Sequence, residues 1–476
     1  MADWASIKRE VPRWFADAKF GLFFHWGPYS VPACENEWYS RNMYAKGLPQ
    51  NQYHVKTYGS LHDFGYKDFY PLLKGEGFDA DEWADLVVRS GAKYAGPVAE
   101  HADNFSLWDS LVNPVNSVNY GPRKDIAGLC AEAFRKRDIR YLATFHHQWL
   151  WGWFMSTDPG ADVYDPANER YYGEALPLET NRYIPYRKPN ARFNETWAAK
   201  VEEFAGKYKP DAIYFDSRAC IIDEDYRFRA ARYIYDNLKE SPITYKQEDF
   251  PEGTGVRDVE RGRFVDIKPF VWQTDDRLED KVTWCIVEEP KYRKARDIIY
   301  DLCDIVSKNG NLLLNVGPRT DGSFHPDAVR ELEDIGAWLK VNGEAIYGSR
   351  PFEISGEGRS LTRDSAFDLD KLKRQLQDGV VADANLQEKF DHRDFRFTRK
   401  GPYVYALSFG WPPEGKLCIH ALKRGGFLGE IKSVTLLGNE KPLEWKRTEE
   451  ALEITLPREK PCRHAFTLKI CRQGVL

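Results

Sequence analysis

At 476 residues, 42% of them apolar, the chain is long enough for two domains and too rich in core-forming side chains to be a disordered protein. A net charge of −5 without any block of like charges excludes the basic face that phosphate binding needs, so nucleic acid is not an expected partner. No apolar run reaches the roughly 18 residues of a membrane span, so no membrane contact is expected either.

From Phe20 onward, short apolar strands alternate with amphipathic helices. The first strand, Phe20–Phe24, ends at His25-Trp26-Gly27. A helix follows over 81–90, with Trp83, Leu86 and Val87 on one face and Gly91 as its stop, and a strand over 93–98 ends near Glu100-His101. A helix over 125–137 leads to the strand Arg140–Phe145, which runs into His146-His147. A helix over 197–207 precedes the apolar run Ala212–Phe215, which ends abruptly at Asp216. Next come a helix over 226–238 and a short strand over 243–245; the stretch 255–271 shows no clear period. Ala295–Ser307 reads as a helix, 311–316 as a strand and 326–341 as a last long helix. At least six strand–helix pairs in about 330 residues favour a TIM-type (β/α)8-like barrel over an open sheet, placed at residues 1–350. No glycine-rich phosphate loop follows the first strand, which weakens nucleotide-binding readings.

Residues 351–476 read differently. The segment 352–390 is charged and loop-rich, with a candidate helix over 369–376. Short alternating stretches then begin at Phe395, Tyr403, Lys416, Lys432, Ala451 and Ala465, the pattern of a β-sandwich. It carries no acid–histidine cluster and reads as a support domain.

The polar residues at the strand ends converge if the barrel is right. His25, His101, His146 and Asp216 each close a different strand, and in such barrels the carboxyl ends of the strands build the site. Taken alone, Asp216 serves equally well as a helix cap or turn residue. Several His and an Asp also suit a metal, but no HxH or HExxH occurs, and His146 and His147 are adjacent, so at most one faces the pocket. The expectation is therefore no metal. Aromatics at 14% of the chain, with their flat rings and polar tips, suit sugar faces as well as cores. Eight cysteines without CxxC spacing read as free thiols, and the first ten residues lack a signal-peptide core. A cytoplasmic location is the default, unless a secretion signal has been trimmed.

The stretch Phe20-Gly21-Leu22-Phe23-Phe24-His25-Trp26-Gly27, followed by Glu37-Trp38-Tyr39, resembles the opening of glycoside hydrolase family 29, the retaining α-L-fucosidases. The resemblance continues through Gly91-Ala92-Lys93-Tyr94, His101, Phe105-Ser106-Leu107-Trp108-Asp109-Ser110, Tyr214-Phe215-Asp216 and Trp272-Gln273-Thr274-Asp275. It ends the barrel with 309–318 and Asn342-Gly343-Glu344-Ala345-Ile346-Tyr347-Gly348, and returns at Gly410-Trp411-Pro412.

What the resemblance implies is an exo-acting, cofactor-free hydrolase of terminal α-L-fucosyl residues, working by double displacement. Asp216 would be the nucleophile, and Glu260, in Val259-Glu260-Arg261-Gly262, the acid/base. Glu248, Glu252 and Asp275 compete for the second role. His25, Glu37, Trp38 and His101 match sugar-contacting positions; His146, Tyr214 and Trp272 complete the expected binding set. The family commonly has two adjacent His where this chain has His101-Ala102, and Tyr214 stands where a Trp is usual. Those departures keep open a glycosidase for a related sugar, such as an α-L-galactoside, or a non-catalytic fucose-binding protein on the same scaffold. The expected partner is a carbohydrate carrying terminal L-fucose; linkage preference and homo-oligomerisation stay open.

Overall fold

The expected strands are buried on both faces, and they close on themselves. The computed structural model describes residues 2–176, 188–246, 248–358, 380–382 and 390–474. Its first nine strands are β1 (Phe20–Phe24), β2 (Tyr94–Glu100), β3 (Arg140–Phe145), β4 (Ala212–Phe215), β5 (Ile243–Lys246), β6 (Val256–Asp258), β7 (Gly262–Phe264), β8 (Trp272–Arg277) and β9 (Gly310–Asn315). All but β7 form a closed parallel barrel in the order β1-β2-β3-β4-β5-β6-β8-β9, with Leu314 of β9 opposite Leu22 of β1. Alternation sorts each strand's side chains. Phe23, Tyr94, Leu142, Tyr214 and Leu313 fill the interior, whereas Ile213 and Phe215 join the larger core beneath the helices. At Gly21 a Cβ would lie 2.4 Å from the ring of Tyr94, its partner on β2, so glycine there makes room for the neighbouring strand's tyrosine.

The main crossover helices are α1 (Ala80–Ser90), α2 (Ile126–Arg135), α3 (Ala191–Tyr208), α4 (Glu224–Asn237), α5 (Ala295–Ser307) and α6 (Pro326–Asn342). Their starts follow from capping side chains: Asp79, Asp125 and Asn190 each accept backbone N–H bonds at a first turn. Gly91 ends α1 in the left-handed region at φ +84°.

The stretch without a clear period holds β6 and β7. Each is three residues long, too short for alternation to register, and β6 meets β8 only at Asp258 opposite Gln273. β7 leaves the barrel and pairs with β11 (Val380–Ala382). The helix expected over 369–376 lies outside the described residues.

The C-terminal part is two antiparallel sheets. Strands β10 (Arg350–Glu357), β12 (Phe395–Lys400), β13 (Tyr403–Ser408), β15 (Ile431–Leu436), β16 (Asn439–Pro442) and β19 (Phe466–Arg472) form one, in the order β10-β12-β13-β19-β15-β16. The other is β14 (Lys416–Ile419), β18 (Leu452–Thr455) and β17 (Glu444–Arg447). Phe395, Phe397 and Leu468 of the first pack with Leu417 and Ile454 of the second. This unit docks on the helix side of the barrel. Arg396 Nε meets Asp304 Oδ1 at 2.6 Å, Tyr300 stacks on Phe409 at 4.4 Å, and Trp338 Nε1 donates to the Ala465 carbonyl.

One buried ion pair anchors the rim. Lys200 of α3 reaches Glu100, the last residue of β2, at 2.6 Å, and Asn104 at 3.1 Å, while Ser106 donates to the other Glu100 oxygen. Both ends of the pair are fully enclosed. Lys200→Met should therefore cost about 3–5 kcal/mol in denaturant unfolding, because it strands a buried carboxylate. Lys200→Met/Glu100→Gln should recover most of that loss.

Candidate active site

Parallel strands bring their carboxyl ends to one rim, and the chemistry-bearing residues sit there. His25, His101, His146 and Asp216 each follow the last residue of β1, β2, β3 and β4. Lys246 ends β5, Glu260 lies two residues past β6, Asp275 is the fourth residue of β8, and Asn315 ends β9. The four residues expected to converge do so, joined by Glu260.

Lys246 ties the acids together. Its Nζ lies 2.7 Å from Asp216 Oδ1, 3.1 Å from Glu260 Oε2 and 3.2 Å from Asp275 Oδ2. The two contacts laid end to end limit Asp216 Oδ1 and Glu260 Oε2 to a separation of no more than about 5.8 Å. These attractions hold the Lys246 ammonium well above its ordinary range despite its burial. The other Asp216 oxygen accepts from Trp149 Nε1 at 3.1 Å, with His146 Nε2 at 3.7 Å. Glu260 keeps 45% of its side-chain surface and so faces the opening, whereas Asp275 keeps 4%. Crowding by protein atoms raises the Glu260 pKa, and the charges of Asp275 and Asp216 add to that.

The three imidazoles form one wall: His101 stacks on His146 at 4.8 Å, and His25 meets them edge-on at 5.7 and 5.3 Å. Burial holds all three below the ordinary histidine range, His25 at about 4. The His25 tautomer follows from its neighbours. Asn315 Nδ2 donates to the Trp284 carbonyl at 2.6 Å, which turns Asn315 Oδ1 to His25 Nδ1, also at 2.6 Å. His25 Nδ1 must then carry the proton, leaving Nε2 as an acceptor. Ring nitrogens of His25, His101 and His146 lie within 4.8 Å of one another. Nitrogens bound to one zinc ion at 2.0–2.1 Å stand about 3.4 Å apart, so a metal would have to draw these rings together.

Glu37 is buried beside them. Its Oε2 accepts from the Trp284 backbone N–H at 2.9 Å, and burial raises its pKa to about 7. Trp284 lies 5.6 Å from His25, and Trp38 packs against Trp149 and Trp153. Aromatic faces thus stand beside buried polar groups able to hydrogen-bond a hydroxyl, a pairing that suits a small sugar.

Two expected binding residues lie elsewhere. Trp272 begins β8, at the opposite end of the barrel from the site, and alternation turns it outward, where its Nε1 donates to the Lys308 carbonyl at 2.9 Å. It cannot reach a ligand at the rim. Tyr214 is fully enclosed inside the barrel below the site, its hydroxyl on Asp275 Oδ2 at 3.1 Å. Glu248 and Glu252 line a separate cavity with Phe250 and Arg257, so they drop out as acids for this site. His147 turns away, as its adjacency to His146 requires, and packs on Trp197.

Sequence reasoning missed Lys246, Trp149, Trp284 and Asn315. The first was findable, since a lysine that closes a buried strand obeys the same strand-end rule as Asp216. Trp284 lies in irregular backbone, where no pattern points to it.

Comparison with known proteins agrees along the whole chain. Residues 1–344 match the family model described as Alpha-L-fucosidase, and residues 387–471 match its C-terminal domain. Tissue alpha-L-fucosidase of Rattus norvegicus is 30% identical over 99% of this chain and 92% of its own length. The Homo sapiens tissue enzyme is 28% identical over 98% and 91%. Among solved structures, Thermotoga maritima alpha-fucosidase in complex with fucose is 26% identical, covers 98% of both chains and superposes with a TM-score of 0.74.

The hydrogen-bond directions around Asn315 make one prediction. Nitrogen-15 spectra should show His25 as the neutral Nδ1–H tautomer, with protonation only near pH 4. A midpoint near 6.5, or the opposite tautomer, would overturn the orientation deduced for this ring.

Proposed function

The chain belongs to the alpha-L-fucosidase family of glycoside hydrolases, and on that premise we propose that it releases terminal α-L-fucose with retention of configuration, through a covalent fucosyl–Asp216 ester. One observation carries the stereochemical part: the limit of about 5.8 Å between Asp216 Oδ1 and Glu260 Oε2. Retaining glycosidases hold their two carboxyls about 5–5.5 Å apart, whereas inverting ones leave about 6.5–9.5 Å for a water. The barrel closes the hollow from below, which suits a terminal sugar.

In the first step Asp216 attacks the anomeric carbon and protonated Glu260 gives its proton to the leaving oxygen. Asp216 loses its negative charge as the ester forms, and Glu260 gains one. Both oxygens touch the same Lys246 ammonium, at 2.7 and 3.1 Å, so the charge changes place around a cation that need not move. Glu260 then takes a proton from water, which opens the ester, and two inversions give net retention. His25 Nε2, His101 and Glu37 bind ring hydroxyls. His146 supplies the second imidazole beside His101, where Ala102 offers no polar atom. Trp38 and Trp284 give the apolar wall that a C5 methyl requires.

Wild-type protein should hydrolyse an aryl α-L-fucoside and release α-L-fucose first by NMR; β-fucose first would mean inversion, and binding without turnover would leave a sugar-binding protein. Asp216→Gly should nearly abolish hydrolysis and be rescued by azide as the β-fucosyl azide. Glu260→Ala should lose about 10²–10⁴-fold on natural disaccharides and much less on substrates with good leaving groups.

Removing the shared cation gives a separate prediction. Lys246→Met should lower kcat/KM by roughly 10²-fold or more. Since Lys246 lowers the Glu260 pKa, its loss should also move the alkaline limb of the pH profile upward. An unmoved limb would separate Lys246 from the acid.

A further inference from the structure

Beneath the site, hydrogen bonds run in one direction from Tyr94 toward Asp275. Tyr94 hydroxyl donates to Gln273 Oε1 at 3.0 Å, which leaves Gln273 Nε2 to donate to Asp258 Oδ2 at 2.8 Å. From the other side, Tyr214 hydroxyl and Lys246 Nζ both reach Asp275 Oδ2, at 3.1 and 3.2 Å. Asp258 on β6 pairs with Gln273 on β8, alternation puts Asp275 on the same face of β8 as Gln273, and the two carboxyls interact side chain to side chain. Asp258 Oδ1 and Asp275 Oδ1 are both buried, and among the described residues neither receives a hydrogen bond. Two neighbouring buried carboxylates do not both stay ionised with an oxygen of each left without a donor.

We propose that Asp258 and Asp275 share one proton, so that the pair carries a single negative charge, and that Asp258 is a positioning residue which holds Asp275 against Lys246. Charge counting supports this. One ammonium faces Asp216, Glu260, Asp275 and Asp258, and a buried site does not keep that many unpaired charges. The charge sits on Asp275, which touches the ammonium and the Tyr214 hydroxyl; among the described residues Asp258 meets the Gln273 amide and its partner acid. Burial and the Asp275 charge act together to keep the Asp258 proton in place. The groups facing the pair are Tyr94 from β2, Tyr214 and Asp216 from the β4 end, Lys246 from β5, Glu260 after β6 and Gln273 from β8. Arg257, next to Asp258 on its strand, lines the cavity outside the barrel.

Asp275 would then set where the ammonium sits between nucleophile and acid. This deepens the reading of Asp216 and Glu260 and rests on it for the kinetic test alone. Asp258→Asn replaces the shared proton with an amide N–H while its oxygen still accepts from Gln273. It should keep kcat within about threefold and leave the alkaline limb in place, because no charge is lost. Asp275→Asn removes a charge that raises Glu260, and should move that limb down. Asp258→Leu should lose at least tenfold in kcat with KM little changed, because no donor then reaches Asp275 Oδ1. A downward limb shift in Asp258→Asn matching that of Asp275→Asn would show Asp258 ionised and overturn the proposal.

A spectroscopic test is independent of the reaction. The infrared difference between wild type and Asp258→Asn at neutral pH should lose one protonated-carboxyl C=O band, and its absence would overturn the shared proton. If that band is lost while Glu260→Ala leaves the alkaline limb unmoved, the pair stands and the assignment of the acid falls.

Discussion

A single ammonium surrounded by acids is the constraint on which this site depends. Lys246 is buried, and a buried cation is tolerated only when paired. Its partners come from separate strand ends: Asp216 after β4, Glu260 after β6 and Asp275 within β8. Each would repel the others without the cation, and the cation would not stay charged without them. The separation between Asp216 and Glu260 is thus a by-product of two short contacts to one atom. An enzyme that passes negative charge from one carboxyl to the other gains from having the counter-charge fixed between them.

Burial does opposite things on the two sides of the pocket. On the histidine side it holds three imidazoles below their ordinary range and so favours the neutral rings. On the acid side it raises Glu37 to about 7, and crowding by protein atoms with the neighbouring carboxylates raises the half-exposed Glu260 as well. The supporting polar groups are themselves held: Asn315 orients His25 while bonding Trp284, and Trp284 in turn donates its backbone N–H to Glu37. Glu279 closes this line, accepting from Gly317 and Asn315, and burial raises its pKa to about 8. Orientation at the rim is thus set by Asn315, Glu279 and the Trp284 backbone.

Much of the fold was legible because its signals are local. Buried parallel strands read as short apolar runs, and Phe20–Phe24, Arg140–Phe145 and Ala212–Phe215 were recognised with their observed bounds. Helices with a strong apolar face, such as Ala295–Ser307, were equally plain. Strands of three residues carry no period, so β6 and β7 were missed, and with them the reason why Glu260 lies at the rim. Trp272 misled because a motif marks a position in sequence, not the end of the barrel at which it falls. Tyr214 misled more subtly: it lies one pleat below the surface that a ligand meets.

By itself the sequence determined that strands and helices alternate, that an acid terminates the fourth strand, and that imidazoles terminate the first three. Those are consequences of local hydrophobic pattern and residue type. Only the tertiary structure decided which second acid faces Asp216, that a lysine stands between them, and that Asp258 and Asp275 meet beneath it. The reason is geometric: barrel closure brings together residues tens to hundreds of positions apart, and no local pattern carries the distance between two side chains on different strands.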